Sequence, residues 1–88
     1  MIPEPATAPK KKVLVIDDQY SIREFLETVL EEEYDVIKAE SAVEARLILR
    51  ESVDLIILDI MMPNFDGYAF CKELKQSLAT KHIPILVL

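Results

Sequence analysis

The stretch DLIILDIMMPNFDG, Asp54–Gly67, decides how the rest of the chain is read. With Val53 before it, it opens on the most apolar run of the sequence, Val53–Leu58, and that run stops abruptly at an acid, Asp59. Leu55–Leu58 within it is apolar without interruption, which suits a strand buried on both faces, as in a parallel sheet. Met61–Gly67 then holds Pro63, Asn64, Asp66 and Gly67, all loop-forming types. Asp66 is placed to accept from the first free N–H groups of a helix. The spacing of Phe70, Leu74 and Leu78 predicts that helix from about Tyr68 to Leu78, with those three on its inner face.

Toward the N-terminus the same grammar repeats. Val13–Ile16 is a second apolar run ending in acids, Asp17 and Asp18. Ile22, Phe25, Leu26, Val29 and Leu30 recur at helical spacing, and Ser21 with Glu24 has the form of a capping box, so a helix is expected to start between Gln19 and Ser21. Tyr34–Ala39 reads as a strand. Ser41 with Glu44 is another capping box, opening a helix through about Glu51 on Val43, Leu47 and Ile48. Past the third helix, Ile83–Leu88 is a fourth apolar run. The order β-α-β-α-β-α-β implies an α/β fold, a parallel sheet with helices on both faces. Met1–Lys10, with three of the five prolines, is expected to be a disordered leader to a domain over 11–88.

Composition bounds the function. The 88 residues allow one small domain. A hydrophobic share of 51% with 30% charged residues fits a globular chain. A net charge of −6 argues against a nucleic-acid surface. One cysteine, Cys71, excludes an internal disulfide, and no apolar run reaches membrane-spanning length. With no secretory signal at the N-terminus, a cytoplasmic location is expected. The chain has a single glycine, Gly67, where about six are usual, so its other turns must come from other residues.

Ligands of open parallel sheets bind at the carboxyl ends of the strands. Should the strands ending in Asp17–Asp18 and in Asp59 be neighbours, three carboxylates would meet at one edge and raise one another's pKa. A hard divalent cation would relieve that repulsion, and oxygen-only donors favour Mg²⁺. A carboxylate is also a competent nucleophile toward phosphorus. Gln19 and Tyr20, just past the acid pair, are candidates to line such a pocket. His82 is expected on a solvent-facing loop and Cys71 in packing rather than reactivity.

VLVIDD at 13–18, DLIILDIMMPNFDG at 54–67 and KHIPILVL at 81–88 together resemble the receiver domain of two-component response regulators, the CheY-like branch of the flavodoxin-like folds. The resemblance implies a sheet in order 2-1-3-4-5 with five helices, of which these residues would supply four strands and three helices, an incomplete version truncated after the fourth strand. It implies that Asp59 is the phosphoacceptor. Asp17, Asp18, Asp59 and the backbone carbonyl of Met61 would bind Mg²⁺, with Pro63 and Gly67 shaping the loop. The phosphoryl group would come from a sensor histidine kinase, a phosphotransfer protein or a small phosphodonor. The domain would act as a phosphorelay acceptor with at most weak self-phosphorylation and autodephosphorylation, rather than as an enzyme. The hydroxyl residue after the fourth strand and the lysine after the fifth, both normal in the family, lie beyond Leu88, so impaired chemistry is expected. So is assembly into a homo-oligomer, a dimer in the simplest case, or with a completing polypeptide. Two rival readings remain: an interaction fragment with idle acids, and an aspartate-nucleophile phosphatase of the haloacid-dehalogenase type. The second wants Asp-x-Asp after the first strand, where this chain has adjacent Asp17–Asp18.

Overall fold

The run KKVLVI forms the first strand, β1 (Lys11–Ile16), and it is paired on both sides in the computed structural model, which describes residues 9–88. On one flank lies β2 (Tyr34–Ala39); on the other lies β3 (Leu55–Leu58), followed by β4 (Ile85–Val87). All pairings are parallel, in order β2-β1-β3-β4. The connections are helices: α1 (Tyr20–Leu30), α2 (Ala42–Ile48) and α3 (Gly67–Gln76). Met1–Ala8, most of the expected leader, lie outside the described residues.

Alternation along the central strands divides the core in two. Leu14, Ile16, Ile56 and Leu58 face Ala45, Phe70 and Leu74 of α2 and α3. Val13, Val15 and Ile57 face Leu26 and Leu30 of α1. Helices therefore cover both faces, two on one and one on the other. No helix among the described residues is long and apolar enough to cross a membrane.

Several local expectations are corrected. The Ser21–Glu24 capping box does not form, although α1 begins at Tyr20, within the expected Gln19–Ser21 window, with Gln19 as N-cap and no side-chain cap. The cause is the acid pair, because the Asp17 carboxylate accepts from the Gln19 N–H at 2.8 Å and the Gln19 carbonyl opens the helix by accepting from Ile22 and Arg23. Glu24 instead pairs with Lys38 at 2.8 Å. Phe25 and Val29, expected on the inner face of α1, are exposed, since Val13, Val15 and Ile57 offer apolar cover only beneath Leu26 and Leu30. In α2 the packed residues are Ala42, Ala45 and Ile48, while Val43 and Leu47 point outward, and the helix ends at Ile48. Ser77 turns extended and ends α3 before Leu78, which is exposed. β3 begins at Leu55 rather than Val53, because Asp54 uses its backbone N–H and its carboxylate on Lys12.

Other expectations hold. Ser41 Oγ accepts from Glu44 N–H at 3.1 Å, and Asp66 Oδ1 from Ala69 N–H at 3.0 Å. His82 is exposed, and Cys71 packs against the larger core cluster. The shortage of glycine is met at Asn64, whose φ of 54° is left-handed, a region asparagine tolerates. Gly67 is needed for space, since a Cβ there would lie 2.6 Å from Ile60 Cγ2 and 2.8 Å from Ile60 Cβ. Gly67→Ala should therefore push the loop after β3 outward and cost about 1–3 kcal/mol, the usual range for overpacking. Denaturant unfolding measures this directly; an unchanged midpoint would show that Ile60 moves aside freely.

Candidate functional site

The parallel register Ile16↔Leu58 brings the ends of β1 and β3 side by side. This is the point where successive connections diverge, since the chain leaves β1 for β2 on one side and later enters β3 on the other. Backbone bonds pin the strand ends together: Asp17 N–H donates to Ala39 O at 3.1 Å and Asp59 N–H to Ile16 O at 3.0 Å. Beyond them Asp17, Asp18 and Asp59 each offer a carboxylate oxygen, and these oxygens all lie within 4.8 Å of one another. Asp17 is 3% exposed, Asp59 half-buried and Asp18 exposed.

Each carboxylate is held differently. Asp17 Oδ1 accepts from Gln19 N–H and Asp59 Oδ1 accepts from Met61 N–H, both at 2.8 Å. These short turns fix the two side chains against their own loops. Asp17 has its pKa raised, first by burial and then by the charges of Asp59 and Asp18, against the lowering effect of the Gln19 N–H. Mutual repulsion was the sequence expectation; burial outranks it, because the carboxylate sits at the covered end of the central strand.

Beside the acids runs a groove lined by Asp18, Ser41, Val43, Met62 and Phe65 among others. Met62 is buried and anchors the loop after β3, whereas the Met61 side chain is exposed and Met61 meets the site through its backbone. Tyr20 is exposed and Gln19 engages Asp17 through its backbone N–H. The residue that spacing did not single out is Arg23. Its Nη1 donates to the Asp17 carbonyl at 2.8 Å and its guanidinium lies 5.7 Å from the Tyr20 ring centre. A cation one helical turn past an acid pair was the available signal.

Comparison with known proteins points to one family. The family described as "Response regulator receiver domain" matches residues 13–88. The chain is 48% identical over 81 residues to the "Probable transcriptional regulator ycf27" of Porphyridium aerugineum, covering 90% of this chain and 32% of that protein. It is 45% identical over 80 residues to the "Alkaline phosphatase synthesis transcriptional regulatory protein PhoP" of Bacillus subtilis, covering 89% and 32%. It thus spans about a third of the length of these relatives. Among solved structures, the chemotaxis response regulator CheY4 of Vibrio cholerae superposes with a TM-score of 0.81 at 34% identity, covering 89% of this chain and 67% of that one.

Proposed function

This chain belongs to the response-regulator receiver family, and on that premise we propose that Asp59 takes the phosphoryl group, with Mg²⁺ held by Asp17, Asp18, Asp59 and the Met61 carbonyl. One observation carries the reading: three carboxylates, ending two adjacent parallel strands, have oxygens within 4.8 Å of one another. The donor set fits the ion, being all oxygen and anionic, and a cation would offset the burial and mutual charge that raise the Asp17 pKa. When bound, the ion screens charge between the attacking carboxylate and the phosphoryl oxygens.

The residues supply the rest. Met61 N–H holds Asp59 Oδ1, which leaves Oδ2 to attack phosphorus. The bond from Oδ2 to phosphorus forms as the donor's P–N or P–O bond breaks, and the leaving imidazole or carboxylate keeps the electron pair. A histidine kinase, a phosphotransfer protein or a small acyl phosphate fits as donor; the domain itself contributes only slow self-phosphorylation and autodephosphorylation. The added charge beside the loop after β3 would then redirect an output function, in keeping with the transcriptional regulators among the relatives. The net charge of −6 supports a domain that does not itself touch nucleic acid.

Calorimetric titration with Mg²⁺ tests the metal reading. A single site should be present in the chain, absent in Asp18→Ala and weaker in Asp59→Asn. The same weak nonspecific heat in all three would sink the assignment. Asp17→Asn adds a stability readout. The raised pKa means that the folded state binds a proton more readily than the unfolded one, so ionised Asp17 opposes folding at neutral pH and that cost fades as pH falls through the raised pKa. Without metal, Asp17→Asn should unfold at a higher temperature at pH 7, by a margin that shrinks in acid.

A further inference from the structure

Arg23 takes no part in the chemistry above, yet its side chain is only 12% exposed. From the first turn of α1 it reaches back six residues to the Asp17 carbonyl, at 2.8 Å. Its other terminal nitrogen lies 4.0 Å from Glu40 Oε2, just past the end of β2, and its central carbon lies over the Tyr20 ring, 5.7 Å from the ring centre. One rigid group thus joins the exits of β1 and β2 to the start of α1. The carbonyl it holds belongs to the peptide linking Asp17 to Asp18, so the plane of that peptide, and with it the directions in which both carboxylates leave the backbone, depends on this bond.

We propose that Arg23 is a positioning residue for the divalent-cation site: by clamping the Asp17–Asp18 peptide it sets the two carboxylates against Asp59. This rests on the Mg²⁺ reading of the acidic cluster. The competing role is purely electrostatic, and it has the opposite sign. A guanidinium close to a dication repels it, so through-space charge alone predicts tighter Mg²⁺ binding when Arg23 is neutralised. Clamping predicts weaker binding. A role confined to folding predicts a lower unfolding temperature with unchanged affinity in the folded protein.

The test is Mg²⁺ titration of the full chain, Arg23→Met, Arg23→Lys and Asp18→Ala, with metal-free unfolding measured alongside. Residues that orient metal ligands from behind typically change affinity 10–100-fold, so Arg23→Met should bind Mg²⁺ about tenfold more weakly and Arg23→Lys, which keeps the charge and one donor but not the planar fork, about threefold. Arg23→Met binding as tightly as the unaltered chain, or more tightly, overturns the proposal. Should Arg23→Met fail to fold, Arg23→Lys decides: reduced affinity upholds the clamp and unchanged affinity overturns it. An unaltered chain with no Mg²⁺ site that Asp18→Ala removes would instead overturn the metal reading, and this inference with it.

Discussion

Asp59→Asn should abolish acyl-phosphate formation completely, while leaving the fold intact. The substitution removes the nucleophile and one charge of the metal site, but leaves the backbone contacts in place. Asparagine keeps a carbonyl oxygen where Asp59 Oδ1 accepts the Met61 N–H, and the Asp59 backbone bond to Ile16 is untouched. Incubation with acetyl phosphate and Mg²⁺, followed by peptide mass spectrometry, should find one phosphoryl adduct on Asp59 and none in the variant. A polypeptide of these 88 residues should nevertheless react slowly. It carries neither the hydroxyl that receivers place after the fourth strand nor the lysine after the fifth. Preorganised donors of that kind are each worth on the order of 10²-fold or more in rate. An adduct on another acid, or labelling as fast as that of a receiver with both groups, would show that this account of the chemistry is wrong.

The acids at the ends of β1 and β3 were legible because they interrupt apolar runs, a signal independent of helix faces or exact boundaries. Asp17, Asp18 and Asp59 needed only the parallel pairing of β1 with β3 to become a cluster. Helix faces were harder. Phe25, Val29, Val43 and Leu47 satisfy helical periodicity as well as their packed neighbours do, and which apolar stripe is buried depends on the width of sheet beneath it. The false capping box at Ser21 has a similar origin. Sequence spacing shows that Ser21 and Glu24 suit a cap, but not that Asp17 takes the Gln19 N–H and makes Gln19 the N-cap instead. Arg23 escaped notice because its partner is a backbone carbonyl, which no side-chain pattern reveals.

The 88-residue polypeptide should associate with itself, and the two sheet edges explain why. The β2 edge carries Asp35 and Lys38, charges that discourage another strand from adding there. The β4 edge carries none. Leu86, Val87 and Leu88 are 52%, 46% and 55% exposed, and Val87 borders an apolar groove of about 230 Å³ with Ile60, Tyr68 and Cys71. Leu86, paired with Ile57, lies on the face that α1 only partly covers, where Phe25 and Val29 are also exposed. About 300 Å² of such surface per copy is worth roughly 7 kcal/mol at 25 cal/mol per Å², hence about 15 kcal/mol when two copies bury it together. Association itself costs about 4–15 kcal/mol, so the balance favours a complex that still dissociates on dilution. A twofold axis beside β4 would set the two edges antiparallel and continue the sheet from one copy into the other. Light scattering across a micromolar dilution series should show the mass rising toward twice that of the chain. Val87→Lys, placing a charge in the groove, should hold it at the monomer. A compact, cooperatively folding monomer at every concentration would show that the open β4 edge and its apolar margin do not drive pairing.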